Sequence, residues 1–207
     1  EGGECYLEGE TLVSTGGVDF RFPLSELRIR GHHNALNACA ATLAAAKAGL
    51  TQASIEEALR TFPGLDHRMQ HVRELDGVDY YDDSKATNVG ATVAALAAIA
   101  GRPVVLIAGG RDKGGQLAPL RDALEGARAV VLIGEAAGRF EEALSGVART
   151  HREFSLEGAV ASARAMAEPG DIVLLAPACS SFDMFRSYAE RGDAFVTAVH
   201  ALPEVGA

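Results

Sequence analysis

The sequence predicts an α/β protein whose larger part is a Rossmann-like, mainly parallel sheet flanked by helices, preceded by a smaller β/α unit. Two observations carry this prediction. Val104-Val105-Leu106-Ile107-Ala108 and Ile172-Val173-Leu174-Leu175-Ala176 are unbroken apolar runs, the pattern of strands buried on both faces of a parallel sheet. From Leu65 onward, strand-like and helical stretches alternate, which predicts a doubly wound domain of about 140 residues. Phe62-Pro63-Gly64 breaks the chain just before that change of texture. The boundary is therefore placed there, giving domains 1–64 and 65–207.

Residues 1 to about 30 are expected to form short antiparallel strands. Tyr6–Val13 contains a Glu-Gly turn, and Val18–Pro23 alternates apolar with polar side chains. Asn34–Leu50 is Ala-rich and reads as a helix with Gly49 at its C-cap. Thr51–Phe62 reads as a shorter helix, with Ser54 and Glu57 in capping-box spacing. In the second domain, strands are expected at Met69–Leu75, Val78–Tyr81, Val104–Ala108, Ala129–Ile133 and Ile172–Ala176, with a weaker one near His151–Phe154. Helices are expected at Val89–Ala100, Leu117–Leu124, Ala136–Leu144, Leu156–Ala167 and Asp183–His200.

The totals narrow the function. The chain has 207 residues, 48% hydrophobic and 23% charged, with no Trp, so its core must be built from Ala, Val, Leu and Ile. The formal net charge is −9, the wrong sign for a general nucleic-acid binder. Any anionic ligand must be held by local positive features. Cys5, Cys39 and Cys179 are far apart and odd in number, which argues against a disulfide framework or zinc knuckle and for a reducing compartment. No apolar run approaches the roughly 20 residues that span a bilayer, and no signal peptide opens the chain. The start, Glu-Gly-Gly-Glu directly before a strand-like segment, reads as the middle of a longer protein.

Ligands in doubly wound sheets bind at the carboxyl ends of strands. Three polar or glycine-rich loops follow predicted strands, and all three are expected at one edge. Asp82-Asp83-Ser84-Lys85-Ala86-Thr87-Asn88 lies where a strand hands over to a helix N-terminus. Its backbone N–H groups are expected to be unpaired and to favour anions, with Lys85 adding charge. Asp83 suits ribose hydroxyls. Gly109-Gly110-Arg111-Asp112-Lys113-Gly114-Gly115 is neither a dinucleotide fingerprint nor a GxxxxGK[ST] phosphate loop. It is either a flexible turn with solvated charges or a close backbone approach to a ligand. Pro177-Ala178-Cys179-Ser180-Ser181-Phe182-Asp183 is expected to open the last helix. Its serines either bind a carboxylate or cap that helix. The loop Gly134-Glu135 is shorter and less specific.

Other residues are weaker signals. His32-His33-Asn34 fits a loop or cap better than a metal site, because adjacent histidines rarely point at one ion. Asn34 and Asn37 lie one helical turn apart, where amides suit the edge of a base. Arg68 is either a surface arginine or a phosphate clamp. Cys179 has no His close in sequence, so burial explains it better than nucleophilic catalysis.

Taken in order, Phe62-Pro63-Gly64-Leu65-Asp66-His67-Arg68, the Asp82–Asn88 loop, Gly109-Gly110-Arg111-Asp112-Lys113, Ala176–Asp183 and Glu190-Arg191-Gly192 resemble the Mur ligase family over essentially the whole chain. The resemblance implies that residues 1–64 are the tail of a central ATPase domain. Residues 65–207 would be a C-terminal Rossmann-like amino-acid-binding domain. It implies an ATP-dependent amide-bond ligase that adds D-glutamate to UDP-N-acetylmuramoyl-L-alanine through an acyl phosphate, in peptidoglycan synthesis. By resemblance, Asn34, Asn37 and Arg68 contact the nucleotide and Asp83 holds its ribose. Lys85 faces the phosphates. Thr87, Lys113 and Ser181, with Phe182 and the Tyr188 ring, bind D-glutamate; Lys85 and Lys113 carry the catalytic charge. The family's Mg2+ ligands are expected upstream, and no GxxxxGK[ST] loop occurs in these residues, so the chain alone is expected to be inactive. A cytoplasmic monomer is expected, without nucleic-acid or membrane partners. A folylpolyglutamate synthase-like ligase and a non-catalytic nucleotide- or amino-acid-binding module remain open, whereas the missing GxGxxG counts against a dinucleotide-dependent oxidoreductase.

Overall fold

The computed structural model describes residues 4–29 and 31–204, with His33 described in its backbone only. The chain divides into two compact units, Glu1–Gly64 and Leu65–Ala207.

In the first unit, strands β1 (Cys5–Glu8), β2 (Thr11–Thr15) and β3 (Asp19–Pro23) form an antiparallel sheet in that order. Leu12, Phe20 and Phe22 pack against Ala35, Ala38 and Cys39 of helix α1 (His32–Lys47) and Ile55 and Leu59 of helix α2 (Gln52–Thr61). Two sequence expectations are corrected here. His32, His33 and Asn34 do not precede α1 but form its first turn, behind Gly31 as N-cap. The cap of α2 is Thr51, whose side chain accepts from the Ser54 N–H at 3.3 Å. Thr51 is the last extended residue, so Ser54 is already helical and no capping box starts there.

The second unit is a six-stranded sheet in the order β4 (Gln70–Leu75), β5 (Val78–Asp82), β9 (Ile172–Ala178), β6 (Val104–Gly109), β7 (Ala129–Ile133), β8 (Thr150–Arg152). All neighbours are parallel except β4 with β5. Every residue of β6, β7 and β9 is buried, because helices cover both faces. Leu96 of α3 (Val89–Ala98), Leu120 of α4 (Ala118–Ala123) and Phe140 of α5 (Ala137–Leu144) pack with Leu106, Leu132 and Leu174 on one face. Val160 of α6 (Leu156–Met166) and Phe195 and Val199 of α7 (Tyr188–His200) pack with Ile107, Val131 and Val173 on the other.

This wiring fixes where a ligand is expected. The chain runs outward through β6, β7 and β8, then returns to insert β9 between β5 and β6. The helix after β9 covers one face, while those after β5 and β6 cover the other. Strand β9 therefore has a switch of winding on each side, and crevices open at the carboxyl ends there. One helix boundary is corrected: α7 begins at Tyr188, with Ser187 as its cap, not at Asp183. Residues 181–185 instead form a turn, in which Met184 and Phe185 N–H both donate to the Ser181 carbonyl. Among the described residues no helix is long and apolar enough to cross a membrane.

Candidate functional site at the carboxyl ends of β5, β9 and β6

The three loops singled out in the sequence follow three adjacent strands and are bonded to one another. Ala178 N–H donates to the Ala86 carbonyl at 2.9 Å, joining the loops after β9 and β5. Arg111 and Ser180 exchange backbone hydrogen bonds of 2.9 and 3.1 Å, joining the loops after β6 and β9. Glycine is required at this seam. Gly110 has φ +125°, and a Cβ there would stand inside 3.0 Å of the Ser180 carbonyl oxygen. The short Gly134-Glu135 loop joins them too, through Glu135 N–H to Asp183 Oδ2 at 2.9 Å and Ala136 N–H to the Gly110 carbonyl at 2.9 Å.

The source of anion-binding donors differs from the sequence expectation. The amides of Asp83 to Thr87 are not free: they donate to Leu175 O, Asp82 Oδ1, His67 O, Asp83 O and Lys85 O in turn. The loop folds on itself before α3 begins. At α3 the Asn88 side chain caps Ala91 N–H at 2.9 Å, while Val89 and Gly90 N–H have no partner among the described residues. The turn after β9 has a larger set of free donors. Ser181, Phe182 and Asp183 N–H, and the Ser181 hydroxyl, have no partner among the described residues.

The charged side chains stand around these donors. The Lys85 ammonium lies 4.0 Å from the centroid of the Tyr188 ring, a cation–π contact that gives it a fixed place. Thr87 is partly buried, and Lys113 is exposed on the loop after β6. Arg111 on that loop is paired with Glu135 at 3.2 Å. Phe182 is exposed, with 63% of its surface accessible. Asp83 accepts from Met69 N–H at 3.3 Å; burial, with Asp82 adjacent, raises its pKa to about 6. Arg68 is exposed, and its charge acts on Asp83. Asn34 and Asn37 share a helical turn of α1 in the first unit, and Asn37 lines a cavity of about 340 Å³ together with Leu27, Ala41 and Phe62.

Cys179 is fully buried, and burial pushes its thiol up to about 12. It is not poised as a nucleophile. Among the described residues no three His, Cys, Asp or Glu side chains gather as metal ligands.

Sequence reasoning missed a buried network beneath the rim. His67 Nδ1 and Asp82 Oδ2 are 2.7 Å apart, with Asp82 fully buried. Burial raises the Asp82 pKa, opposed by its bonds to His67 and the Ser84 amide. Gly192 makes room for this pair, since a Cβ there would fall inside 3.0 Å of both. Ser84 Oγ donates to the Tyr188 carbonyl at 2.7 Å and accepts from Arg191 Nε at 2.9 Å. Glu190-Arg191-Gly192 stood out in the sequence, but nothing in it says that the arginine points inward.

Comparison with known proteins shows the family. A family model described as Mur ligase, glutamate ligase domain, matches residues 67–179. A UDP-N-acetylmuramoylalanine–D-glutamate ligase of Legionella pneumophila (strain Lens) is 46% identical over 196 residues, covering 93% of this chain and 44% of that protein. The enzyme of the same name from Syntrophotalea carbinolica is 50% identical over 198 residues, covering 95% of this chain and 44% of its own length. The chain thus spans less than half the length of these relatives. Among solved structures, UDP-N-acetylmuramate-alanine ligase from Thermotoga maritima superposes with a TM-score of 0.68 at 18% identity, covering 92% of this chain and 42% of its own; this likeness concerns the fold alone.

Proposed function

Because this chain belongs to the Mur ligase family, we propose that its second unit is the glutamate-binding part of an ATP-dependent ligase joining D-glutamate to UDP-N-acetylmuramoyl-L-alanine. The observation that carries this reading is the meeting of the loops after β5, β9 and β6, which brings Lys85, Ser181 and the Lys113 loop to one rim. A dicarboxylate needs cations and hydrogen-bond donors on two sides. The free amides of Ser181 to Asp183 and the Ser181 hydroxyl serve one carboxylate, with Thr87, Lys85 and Lys113 serving the other. Phe182 and the Tyr188 ring bound the apolar stem between them.

In this reading Arg68 and Asp83 serve the nucleotide, Arg68 at a phosphate and Asp83 at ribose hydroxyls. Lys85, on the residue pair next to Asp83, is placed to serve phosphate as well as glutamate. ATP makes an acyl phosphate of the acceptor's carboxylate. The glutamate nitrogen then attacks the acyl carbon, an amide forms, and phosphate leaves while the nitrogen loses a proton. Holding the amine against that carbon is the contribution proposed for these loops.

The test is a titration of the isotope-labelled chain with D-glutamate, followed by amide chemical shifts. Shifts at residues 83–88, 110–115 and 180–184, with L-glutamate weaker, support the reading. Equal response to both enantiomers, or shifts confined elsewhere, refutes it.

A further inference from the structure

Arg191 is the buried cation that the proposed ligand contacts leave unused. It is 1% exposed, and among the described residues every hydrogen bond of its side chain goes to the rim loops. Nε and Nη2 donate to the hydroxyl and carbonyl of Ser84, both at 2.9 Å, and Nη1 donates to the Cys179 carbonyl at 3.2 Å. A Cβ on Gly110 would stand 3.3 Å from Nη1, so the loop after β6 passes close to the same group. One guanidinium therefore bonds the loops after β5 and β9 and lies near the loop after β6.

Its surroundings make this an expensive way to fill space. No carboxylate bonds to it among the described residues; burial holds its pKa down near 10, the mark of a cation stripped of water. An apolar side chain of similar length would fill the volume with no charge to desolvate. What the guanidinium adds is a rigid plane of donors, which fixes the mutual position of the atoms it bonds. Those atoms need fixing. Ala178, just before Cys179, holds φ 58°, a left-handed conformation rare for a residue with a side chain. Ser84 and Cys179 are the neighbours, or near neighbours, of Lys85 and Ser181.

We propose that Arg191 is a positioning residue, whose guanidinium locks the Ser84 and Cys179 backbones together and so sets the spacing of Lys85 and Ser181. The identity of the ligand held at that spacing rests on the proposed function; the locking itself does not. The test compares Arg191→Met, Arg191→Lys and Ser84→Ala with the unaltered chain by amide hydrogen exchange and by D-glutamate titration. Exchange is expected to rise at least tenfold at residues 84–86 and 178–180, with Leu106 and Val131 unchanged. D-glutamate affinity is expected to fall at least tenfold in both Arg191 variants, because lysine cannot bond both carbonyls in one plane. Uniformly faster exchange, unchanged exchange, or full rescue by lysine overturns the proposal. If the Met variant does not fold, the Lys and Ser84 variants decide the matter by the same readouts. If the unaltered chain binds no D-glutamate, the function reading fails while the exchange result still judges the lock.

Discussion

Replacing Gly110 with alanine should be strongly destabilising, and its size can be worked from the seam. The residue holds φ +125°, a conformation open essentially to glycine, which costs a side chain about 1–3 kcal/mol. The new Cβ would also fall inside 3.0 Å of the Ser180 carbonyl oxygen and 3.2 Å from Cys179 Cβ. Neither is the loose end of a flexible side chain. Relief requires parting the loops after β6 and β9, which sacrifices the reciprocal Arg111–Ser180 bonds of 2.9 and 3.1 Å. Each is worth about 1 kcal/mol net. The sum is about 3–5 kcal/mol, a large share of the stability of an ordinary domain. The same loop supplies controls. Gly114 has φ +77° with nothing within 4 Å, and Gly115 meets only Val89 Cγ2, at 3.6 Å, without a left-handed backbone. Alanine at Gly114 should cost about 1 kcal/mol, and at Gly115 nothing or a gain of about 0.5 kcal/mol. Urea denaturation followed by circular dichroism, comparing midpoints at constant slope, measures all three. A Gly110 variant within about 1 kcal/mol of the Gly115 variant would refute the steric argument.

Asp83→Asn should stabilise the chain at pH 7–8 and make no difference at pH 3. The carboxyl's raised pKa, about 6 in the fold, means its stabilising contribution is complete below its unfolded value and is lost as pH rises through about 6. Partial exposure discounts the effect to about 1–2 kcal/mol, and melts across that pH window would expose the opposite slope if the sign is wrong. Lys113→Ala, in a full-length ligase carrying this portion, should raise the KM for D-glutamate at least tenfold and leave that for ATP nearly unchanged, as losing one charge-assisted contact requires. Equal changes in the two constants would remove Lys113 from the amino-acid site. Asn88→Ala should cost about 1 kcal/mol by uncapping α3, with Asn88→Asp retaining most of it; a denaturation midpoint indifferent to the alanine would show that the cap contributes nothing.

The sheet was legible because burial on two faces leaves a one-dimensional trace. Val104–Ala108 and Ile172–Ala176 have no polar residue to hide, and both are fully buried strands. The common edge of the three loops was legible for a related reason: each follows a strand, and parallel strands end at the same edge of a sheet. What stayed hidden depends on backbone geometry or on partners distant in the chain. Thr51 and Ser54 are both capping residues, and only the backbone shows which is still extended. The amides of Asp83 to Thr87 looked free because two of their partners, His67 and Leu175, lie elsewhere in the chain and the other three depend on how the loop folds on itself. Nothing local marks Arg191 as buried until α7 is docked, or gives Gly192 a role until His67 and Asp82 are placed against it. Long-range contact, rather than local preference, decided the places of Arg191 and Gly192.

The outer strands of the larger sheet have a bearing on handling the protein. One border, β8, is three residues long and includes His151 and Arg152; the other, β4, carries His71, Arg73 and Glu74. Neither offers a long apolar ribbon to a stranger's backbone, and charge along both discourages cross-molecular zippering. Concentrated solutions of the second unit should therefore resist fibril growth, which favours the crystallisation and spectroscopic work that its rim loops invite.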